Sequence, residues 1–503
     1  MYRASECARI AAALERHMEK YAYKPMPLVG HAWMPLSLVP TPAAITATVR
    51  RWCMNMRVPV MLARIGFIYQ WYGCMLFHTN EIAVFMSNTR NLKKPVPYKF
   101  LRGFMGNGLL TSHGHHWQHQ RKLISPMFSM SALNSYVAVF NRNAKIIAQV
   151  LMDVTQEPDS RGQQIDLMRY TSLCALDVIM ETTMGQRIHA QLQSSEYAEA
   201  AHQFLQEAIS RHMLPVFWPD FIYYNLTPSG WRIRRALNVL LTFADKAIAE
   251  VEQNMMSEFL QADADGACSS EGKRVPSSLL HLLLQAQHAG LITRQDVVDQ
   301  VNTFIVEGQE TSAATMAYAC YLLARHPDVQ QKAREEVLGI LGNAKASEPT
   351  MAQLAEMKWL ECCVKETLRL YPTVPVIGRQ TEDSLKLNDE VTLPPGVSVA
   401  VDLYILHRNS RYFDAPDEFR PERFLPENID SRLLQAYRPF SSGPRNCIGQ
   451  KFGMLETKCI LAELLQRFEF DSDVSEREME KAAVYMFTLW PQNGVPVRLT
   501  PRK

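Results

Sequence analysis

The feature that most constrains the fold is one long helical stretch in the second half of the chain. Apolar residues recur at helical spacing from Thr293 to Ala324, and Thr293 with Asp296 matches a capping box at its start. Pro327 ends the stretch after roughly thirty residues, which is longer than the usual globular helix. A helix of that length must cross the molecule, so the sequence predicts one large body built around it.

The middle of this stretch is polar where a buried helix should be apolar. Residues 307–312 read Glu-Gly-Gln-Glu-Thr-Ser, which places two acids and a glycine inside the helix. By the three-and-four rule, one face carries an aromatic ring, a carboxylate, a glycine and a hydroxyl, and we expect the glycine to let a ligand lie close. These residues are Phe304, Glu307, Gly308 and Thr311. The alternative is a locally polar helix face with a threonine that bends the helix.

A cysteine between two glycines lies just before another helical stretch. The loop from Phe440 to Gly449 reads Phe-Ser-Ser-Gly-Pro-Arg-Asn-Cys-Ile-Gly, and the dipole of the following helix favours a negative sulfur on Cys447. Gly443 and Gly449 leave room where the backbone and a flat ligand approach closely. Arg445 offers a cation to the anionic edge of such a ligand, and the Phe440 ring shields the sulfur from water. The alternative is a buried free cysteine in a glycine-rich turn.

This loop resembles the cysteine-ligand loop of the cytochrome P-450 haem-thiolate monooxygenases. The family pattern is Phe-x-x-Gly-x-Arg-x-Cys-x-Gly, and every fixed position of it is filled here. The resemblance implies haem b (iron protoporphyrin IX), with its iron bound by Cys447. It also implies the family's fold, mainly α with a small β part (α+β), in which a single large domain holds the haem between the long central helix and the cysteine loop. Family members insert one atom of O2 into a lipophilic substrate, such as a fatty acid, a hormone-like lipid or a xenobiotic.

The resemblance extends to the polar part of the long helix. The family carries an acid-alcohol pair there, on the oxygen-binding side of the haem, and Glu310 with Thr311 matches it. Family members more often have aspartate in place of Glu310 and a second threonine in place of Ser312. Neither change removes the groups that handle protons, so the resemblance implies catalytic roles for this pair.

Further segments match the family in the same order along the chain. A Glu-x-x-Arg segment and a later arginine match a triad that stabilises the region beneath the haem, namely Glu366, Arg369 and Arg423. Other segments match the side chains that hold the haem propionates, which are Trp117, Arg121, Arg379 and Arg445. An isolated Glu-x-x-Arg pair is weak evidence, because most such pairs are exposed, but its place between the long helix and the cysteine loop follows the family order.

Within the family, the chain is similar to the family 4 branch of fatty-acid ω-hydroxylases and its insect relatives. The similarity is carried by residues 304–311, 108–110 and 371–375. In that branch the glutamate that matches Glu307 can form an ester with a haem methyl group. The similarity therefore implies an ester link here, a rigid site and oxidation at a chain terminus. Gln309 stands where the branch usually has histidine.

Composition narrows the class of protein and its partners. The net charge is +2 with dispersed lysine and arginine, which argues against nucleic-acid binding, and the ten cysteines show no Cys-x-x-Cys spacing. The lack of that spacing argues against a zinc site and against a disulfide framework, and it indicates a reducing compartment. No nucleotide-binding glycine motif follows a predicted strand, so electrons must come from a partner. The resemblance implies NADPH-cytochrome reductase docking on the cysteine side, where Lys122, Lys451 and Lys458 are candidates to offer positive charge. The alternative is that each of them is an ordinary solvated lysine.

The N-terminal residues are predicted to differ from the rest of the chain. Residues 25–503 are predicted to form one catalytic domain, because no linker or repeat divides them. Residues 1–24 form a segment without a clear transmembrane anchor, and residues 1–20 have the pattern of a short amphipathic helix or of a packed terminus. The aromatic run 215–224 matches a loop that contacts the membrane in family members, so the resemblance implies contact with a membrane surface. The alternative is that this run packs in the core. The resemblance implies the cytosolic face of the endoplasmic reticulum.

Coarse periodicity predicts where helices and strands lie. Apolar runs rich in β-branched and aromatic residues at 58–84 and 384–406 predict a small β part. Helical spacing predicts helices over 131–154, 166–184, 195–212 and 231–259, in addition to the long stretch.

Two other functions stay open on the sequence alone. A haem-thiolate isomerase or peroxygenase needs no reductase, and a haem carrier or sensor has no turnover. Glu310 with Thr311 argues against the first function, because it does not need that proton relay. The intact motifs argue against the second.

Overall fold

The computed structural model describes residues 60–65, 71–158, 162–193, 195–213, 217–264, 278–342 and 348–502. The expectations for residues 1–24 and for part of the aromatic run 215–224 lie outside these residues. Helices make up most of the described chain and strands form small sheets. The expected fold class, mainly α with a small β part, is confirmed.

Two helices frame the site. The central helix is Arg294–Arg325, and the cysteine-side helix is Gln450–Arg467. The other longer helices are Thr79–Ser87, Gly114–Ile124, Met130–Gln156, Leu167–Ile179, Glu196–Met213, Pro228–Ala264, Leu279–His288, Pro327–Leu341 and Lys358–Leu370. Short helices are Arg102–Met105, Asp220–Leu226, Met351–Glu356, Leu403–Leu406, Ser431–Ala436 and Glu476–Ala482. A π-helical turn, Met180–Met184, extends the Leu167–Ile179 helix.

The strands form four small sheets among the described residues. In chain order they are β1 Val60–Ile65, β2 Trp71–Leu76, β3 Gln164–Asp166, β4 Val376–Gln380, β5 Leu385–Lys386, β6 Thr392–Leu393, β7 Ser398–Asp402, β8 Phe468–Asp471, β9 Ala483–Tyr485, β10 Leu489–Pro491 and β11 Pro496–Pro501. The sheets have the orders β1-β2-β7-β4, β3-β11-β8, β5-β6 and β10-β9. The two predicted β stretches meet in the first sheet, where β2 runs parallel to β7 with Gly73 opposite Ser398.

The first predicted β stretch is wrong beyond Leu76. Residues 79–87 form a helix, because Ile82, Phe85 and Met86 recur at helical spacing and are buried together. The short apolar run did not distinguish a strand from a buried helix.

The central helix has the start and end that the sequence predicts. The Thr293 hydroxyl accepts the backbone N–H of Asp296 at 3.1 Å, and the Asp296 carboxylate accepts the backbone N–H of Thr293 at 2.8 Å, which completes the capping box. Its last residue is Arg325, and the next helix begins at Pro327. The second half of the helix is almost wholly buried, so it lies inside the molecule rather than on its surface.

Among the described residues, no individual helix is both long and apolar enough to cross a bilayer. One pair bent by 59°, Gly114–Phe128 with Met130–Gln156, would qualify on length and composition alone.

Candidate active site

A cavity lies between the central helix and the cysteine loop. Both segments that the sequence singles out contribute to its lining, although they are far apart in the chain. From the central helix come Phe304, Glu307, Gly308 and Thr311, and from the loop come Phe440, Cys447 and Gly449. Residues on one helical face therefore lie across a shared cavity from the cysteine.

Cys447 presents its surface to this cavity. The loop is fixed at this point by a hydrogen bond from the Cys447 backbone N–H to the Phe440 carbonyl, at 2.9 Å. The residue has exposed surface and lines the cavity, and the protein atoms around the thiol raise its pKa to about 11 by burial. A hydrogen bond from the Gly449 backbone and the charge of Arg121 act in the opposite direction on this pKa. A metal would have to displace the thiol proton, as metal binding to cysteine normally does.

The glycines near the cavity lie in close contact with other parts of the protein. A Cβ on Gly308 would lie 2.4 Å from Cδ1 of Ile179, so this glycine, which also borders the cavity, lets the neighbouring helix approach closely. Gly443 has φ +70°, and a Cβ there would lie 2.0 Å from the carbonyl oxygen of Met86. Only Gly449 borders the thiol, because its Cβ would lie 3.9 Å from the Cys447 sulfur. At Gly308 and Gly443 the space that a side chain would fill is taken by protein atoms, and the expectation that these glycines also make room for a flat ligand stays a prediction.

The predicted propionate partners lie beside the loop, and they differ in how many of their hydrogen-bond donors are already used. Arg379 is buried and donates to the carbonyls of Phe85, Met86, Asn88 and Ser442 at 3.0–3.3 Å, so it joins the Thr79–Ser87 helix to the cysteine loop. Arg121 donates to the backbone and side-chain oxygens of Asn446, at 3.0 and 2.9 Å. These contacts hold the residue before Cys447 in place.

Arg445 is the predicted partner with unused donor capacity. One of its nitrogens, Nη2, donates to the Leu110 carbonyl at 2.9 Å, and its guanidinium lies 4.7 Å from the centre of the Trp117 ring. Its Nη1 is buried and has no hydrogen-bond partner among the residues that the structure describes. Burial, together with the charges of Arg379 and Arg121, lowers the pKa of Arg445 to about 9. Such a group favours an anionic partner.

Sequence reasoning missed a fourth cation in this region. Burial and the charges of Arg445 and Arg379 lower the pKa of Lys94 well below its ordinary value, while Glu307 raises it. The Lys94 ammonium lies 4.5 Å from the centre of the Tyr98 ring. The segment around Lys94 has no periodic pattern, so no signal in the sequence indicated its position.

Glu307 and Thr311 are joined along the wall of the cavity. The Thr311 hydroxyl donates to the backbone carbonyl of Glu307 at 2.7 Å, as a mid-helix threonine commonly does. Burial raises the pKa of the Glu307 carboxyl to about 7, and Lys94 opposes this shift. Near neutral pH, this carboxyl therefore exists in both protonation states.

Glu310 is placed differently from its neighbour Thr311. It is buried but does not contribute to the cavity lining, and its Oε2 accepts a hydrogen bond from the Thr488 hydroxyl at 3.2 Å. Its Oε1 lies 4.0 Å from Nδ1 of His202. Any action of Glu310 on the cavity must therefore pass through another group. Neither Thr488 nor His202 was singled out from the sequence, because both approach from distant segments.

The three triad residues lie together in the interior. The Glu366 carboxylate accepts two hydrogen bonds from Arg369, at 2.7 and 2.8 Å, and one from Arg423 at 2.9 Å. The backbone N–H of Arg420 donates to the same carboxylate at 2.9 Å. Glu366 and Arg369 have no exposed surface, so their charges are neutralised by one another.

The lysines expected to attract a partner divide into two groups. Lys122 and Lys451 are exposed. Lys458 is buried, and its ammonium lies 3.2 Å from the Glu361 carboxylate, so its charge is paired inside the protein. The expectation that Lys458 offers surface charge is wrong.

Comparison with known proteins decides the family. The model of the cytochrome P450 family matches residues 76–495, which is most of the chain. The chain belongs to the cytochrome P450 family. Human cytochrome P450 4V2 is 34% identical over 482 residues, which cover 95% of this chain and 88% of that protein. Cytochrome P450 4c3 of Drosophila melanogaster is 34% identical over 450 residues (87% and 82%), and cytochrome P450 4c21 of Blattella germanica is 35% identical over 407 residues (80% and 79%).

These matches establish the resemblance to family 4, including its insect members, and the class of enzyme. The chain is a haem-thiolate monooxygenase that uses O2, a lipophilic substrate and a redox partner. The individual site residues remain predictions, and their positions above show how far each is suited to its expected role.

The residues around the cavity fit a haem. No cluster of three histidine, cysteine or acidic side chains occurs within the described ranges, so a metal at Cys447 would need other ligands from a bound group such as a porphyrin. The unpartnered Nη1 of Arg445 fits a propionate carboxylate. Cys447 would bind the haem iron through its sulfur, and Phe440 would cover that sulfur.

Proposed function

We propose that this enzyme hydroxylates fatty acids or similar lipophilic chains at or near the terminus, with electrons from NADPH through NADPH-cytochrome reductase. The proposal is carried by one observation: Glu307, the residue that matches the ester-forming glutamate of family 4, has its side chain at the wall of the cavity that also contains Cys447. Haem b is the proposed cofactor, and residues 25–503 are the proposed catalytic domain.

An ester between Glu307 and a haem methyl group is part of this proposal. The Glu307 carboxyl and Cys447 line the same space. Forming the ester replaces one C–H bond of the methyl group by a C–O bond to the carboxylate, a two-electron oxidation for which O2 and NADPH during turnover supply the oxidant. A covalent bond at this position would fix the cofactor beside the central helix. A fixed cofactor leaves a narrow approach, which favours the end of an unbranched chain over its middle.

The protein's part in the reaction is to bind, orient and deliver protons. Bound haem supplies the redox chemistry that splits O2, with one atom entering the substrate and the other leaving as water. Thr311 is the proposed proton donor at the cavity wall, where its hydroxyl is held by the Glu307 carbonyl. Glu310 is the proposed reservoir behind it, because burial raises the pKa of its carboxyl to about 8 and so keeps a proton available.

The cysteine side is the proposed docking face for the reductase. Lys122 and Lys451 are exposed there, and Lys451 borders a surface groove that also contains Met454. We further propose that the enzyme acts at the cytosolic face of the endoplasmic reticulum membrane. This location rests on the resemblance to family 4 and on the aromatic run 215–224.

Turnover of lauric acid tests the substrate and the electron source together. The purified protein is mixed with NADPH, NADPH-cytochrome reductase and O2, and the products are separated by mass spectrometry. We expect ω-hydroxylaurate that depends on all three components, and a strong loss of product in Thr311→Ala. Product formed equally well from peroxide without reductase would indicate a peroxygenase instead.

A further inference from the structure

His202 and Glu310 face each other behind the central helix. Oε1 of Glu310 has no hydrogen-bond partner in the described parts of the chain, and the same is true of Nδ1 of His202, although both atoms are buried. The two atoms are 4.0 Å apart, which is longer than a hydrogen bond. A small rotation of either side chain would bring them to hydrogen-bonding distance.

His202 also has solvent-accessible surface. It lies on the Glu196–Met213 helix, and its side chain is 27% exposed. Because Nδ1 is buried, the exposed surface belongs to the rest of the ring. The ring stacks on Trp490 with 3.9 Å between centres and 29° between planes, so its plane is held against the indole while the ring can still rotate within that plane. One edge of the imidazole thus faces the buried acid and the rest reaches solvent.

We propose that His202 is a positioning residue that returns a proton from solvent to Glu310 after Glu310 has released one towards the cavity. This inference rests on the proposed role of Glu310. The neutral imidazole gives its Nδ1 proton to the Glu310 carboxylate and takes a proton from water at Nε2, so one proton moves inward and the ring ends neutral. A later exchange of the ring proton between its nitrogens, through solvent, resets the pair.

The charges around the pair are consistent with this direction of transfer. Burial and the nearby Glu307 raise the pKa of Glu310 to about 8, and the Thr488 hydrogen bond opposes this shift. Burial lowers the pKa of His202 to about 4, so the ring is neutral at pH 7. The buried hydroxyl of Tyr197 also faces Glu310, and its pKa is raised by burial and by that carboxyl. None of these groups places a positive charge close to Glu310, so a neutral proton donor is suited to the site.

The direct test is a titration of Glu310 that needs neither substrate nor reductase. The infrared C=O band of the protonated carboxyl is assigned by its loss in Glu310→Gln, and its midpoint is then measured against pH in each variant. His202→Phe keeps an aromatic ring against Trp490 but removes the donor, so we expect the midpoint to rise by about one pH unit. His202→Gln keeps an N–H donor, and its midpoint should return towards wild type.

Turnover separates a relay from a simple hydrogen bond. With lauric acid, NADPH and reductase, both His202→Phe and His202→Gln should slow product formation by about tenfold and increase the solvent deuterium isotope effect. Glutamine thus restores the infrared midpoint without restoring the rate. His288→Phe, at an exposed helix end, is the matched control and should change neither quantity.

Each outcome decides the proposal. An infrared midpoint in His202→Phe equal to that of wild type would overturn it, as would wild-type turnover and isotope effect in both His202 variants. If lauric acid is not oxidised at all, the substrate class proposed above fails, while the infrared titration still tests the contact between His202 and Glu310.

Discussion

The close approach of two helices at Gly308 allows a quantitative prediction. In Gly308→Ala the new Cβ would lie 2.4 Å from Cδ1 and 2.6 Å from Cγ1 of Ile179, so one of the helices or the Ile179 side chain must shift. Overpacking of this kind costs about 1–3 kcal/mol, and alanine recovers about 1 kcal/mol of helix propensity. We therefore expect the free energy of unfolding to fall by about 0–2 kcal/mol.

A double-mutant cycle isolates the part of this change that comes from Ile179. Ile179 is buried, so Ile179→Ala alone should cost about 2–5 kcal/mol. In the double variant the alanine Cβ at position 308 enters space that the isoleucine has left, since the Cβ of Ile179 is 3.4 Å away. The double variant should be more stable than the sum of the two single changes predicts, by about 1–2 kcal/mol.

Urea unfolding of the four proteins, followed by circular dichroism, measures the coupling. Haem content is measured on the same samples. If Gly308 instead makes room for the cofactor, Gly308→Ala would lose haem whether residue 179 is isoleucine or alanine, and the coupling in stability would be zero. That result would refute the packing argument.

Three other carboxyl groups give predictions of their own. Glu366→Gln should lower the free energy of unfolding, measured in urea, by about 3–5 kcal/mol, because it leaves the buried guanidinium of Arg369 without its anion. Exposed ion pairs contribute far less, so a loss below about 1 kcal/mol would contradict the buried geometry. Burial raises the pKa of Glu456 from 4.5 to about 8, so the folded state holds a proton that the unfolded chain releases. Wild type should lose stability relative to Glu456→Gln as pH rises from 5 to 8, by at most about 1.4 kcal/mol per pH unit. A difference in free energy of unfolding that does not change with pH would contradict the raised pKa of Glu456. Acid extraction followed by mass spectrometry should leave haem attached to wild type and release it from Glu307→Gln; freely extractable haem in wild type would rule out the ester.

Local signals in the sequence were sufficient for the elements that depend on neighbouring residues. The central helix has both ends where the capping box and Pro327 place them, because caps and proline act within one turn. The cysteine loop and the polar helix face were also recognised, since each is a continuous segment. Their meeting in one cavity followed only from the family resemblance.

What the sequence could not predict depends on contacts between distant segments. Thr488 and His202 reach Glu310 from different elements, and no local pattern connects them. Lys458 has the sequence environment of a surface lysine, yet Glu361 from another helix neutralises it in the interior. Residues 79–84 were assigned to a strand because a short apolar run fits either structure until its packing is known.

The central claim is that Cys447 provides the thiolate for haem iron. The carbon monoxide difference spectrum of the reduced, haem-loaded protein tests it, with Cys447→Ala and the buried Cys459→Ala compared under the same conditions. We predict the absorption band of a thiolate-ligated haem in wild type and in Cys459→Ala, and its loss in Cys447→Ala. The same band in Cys447→Ala, or none in wild type that contains haem, would contradict the claim.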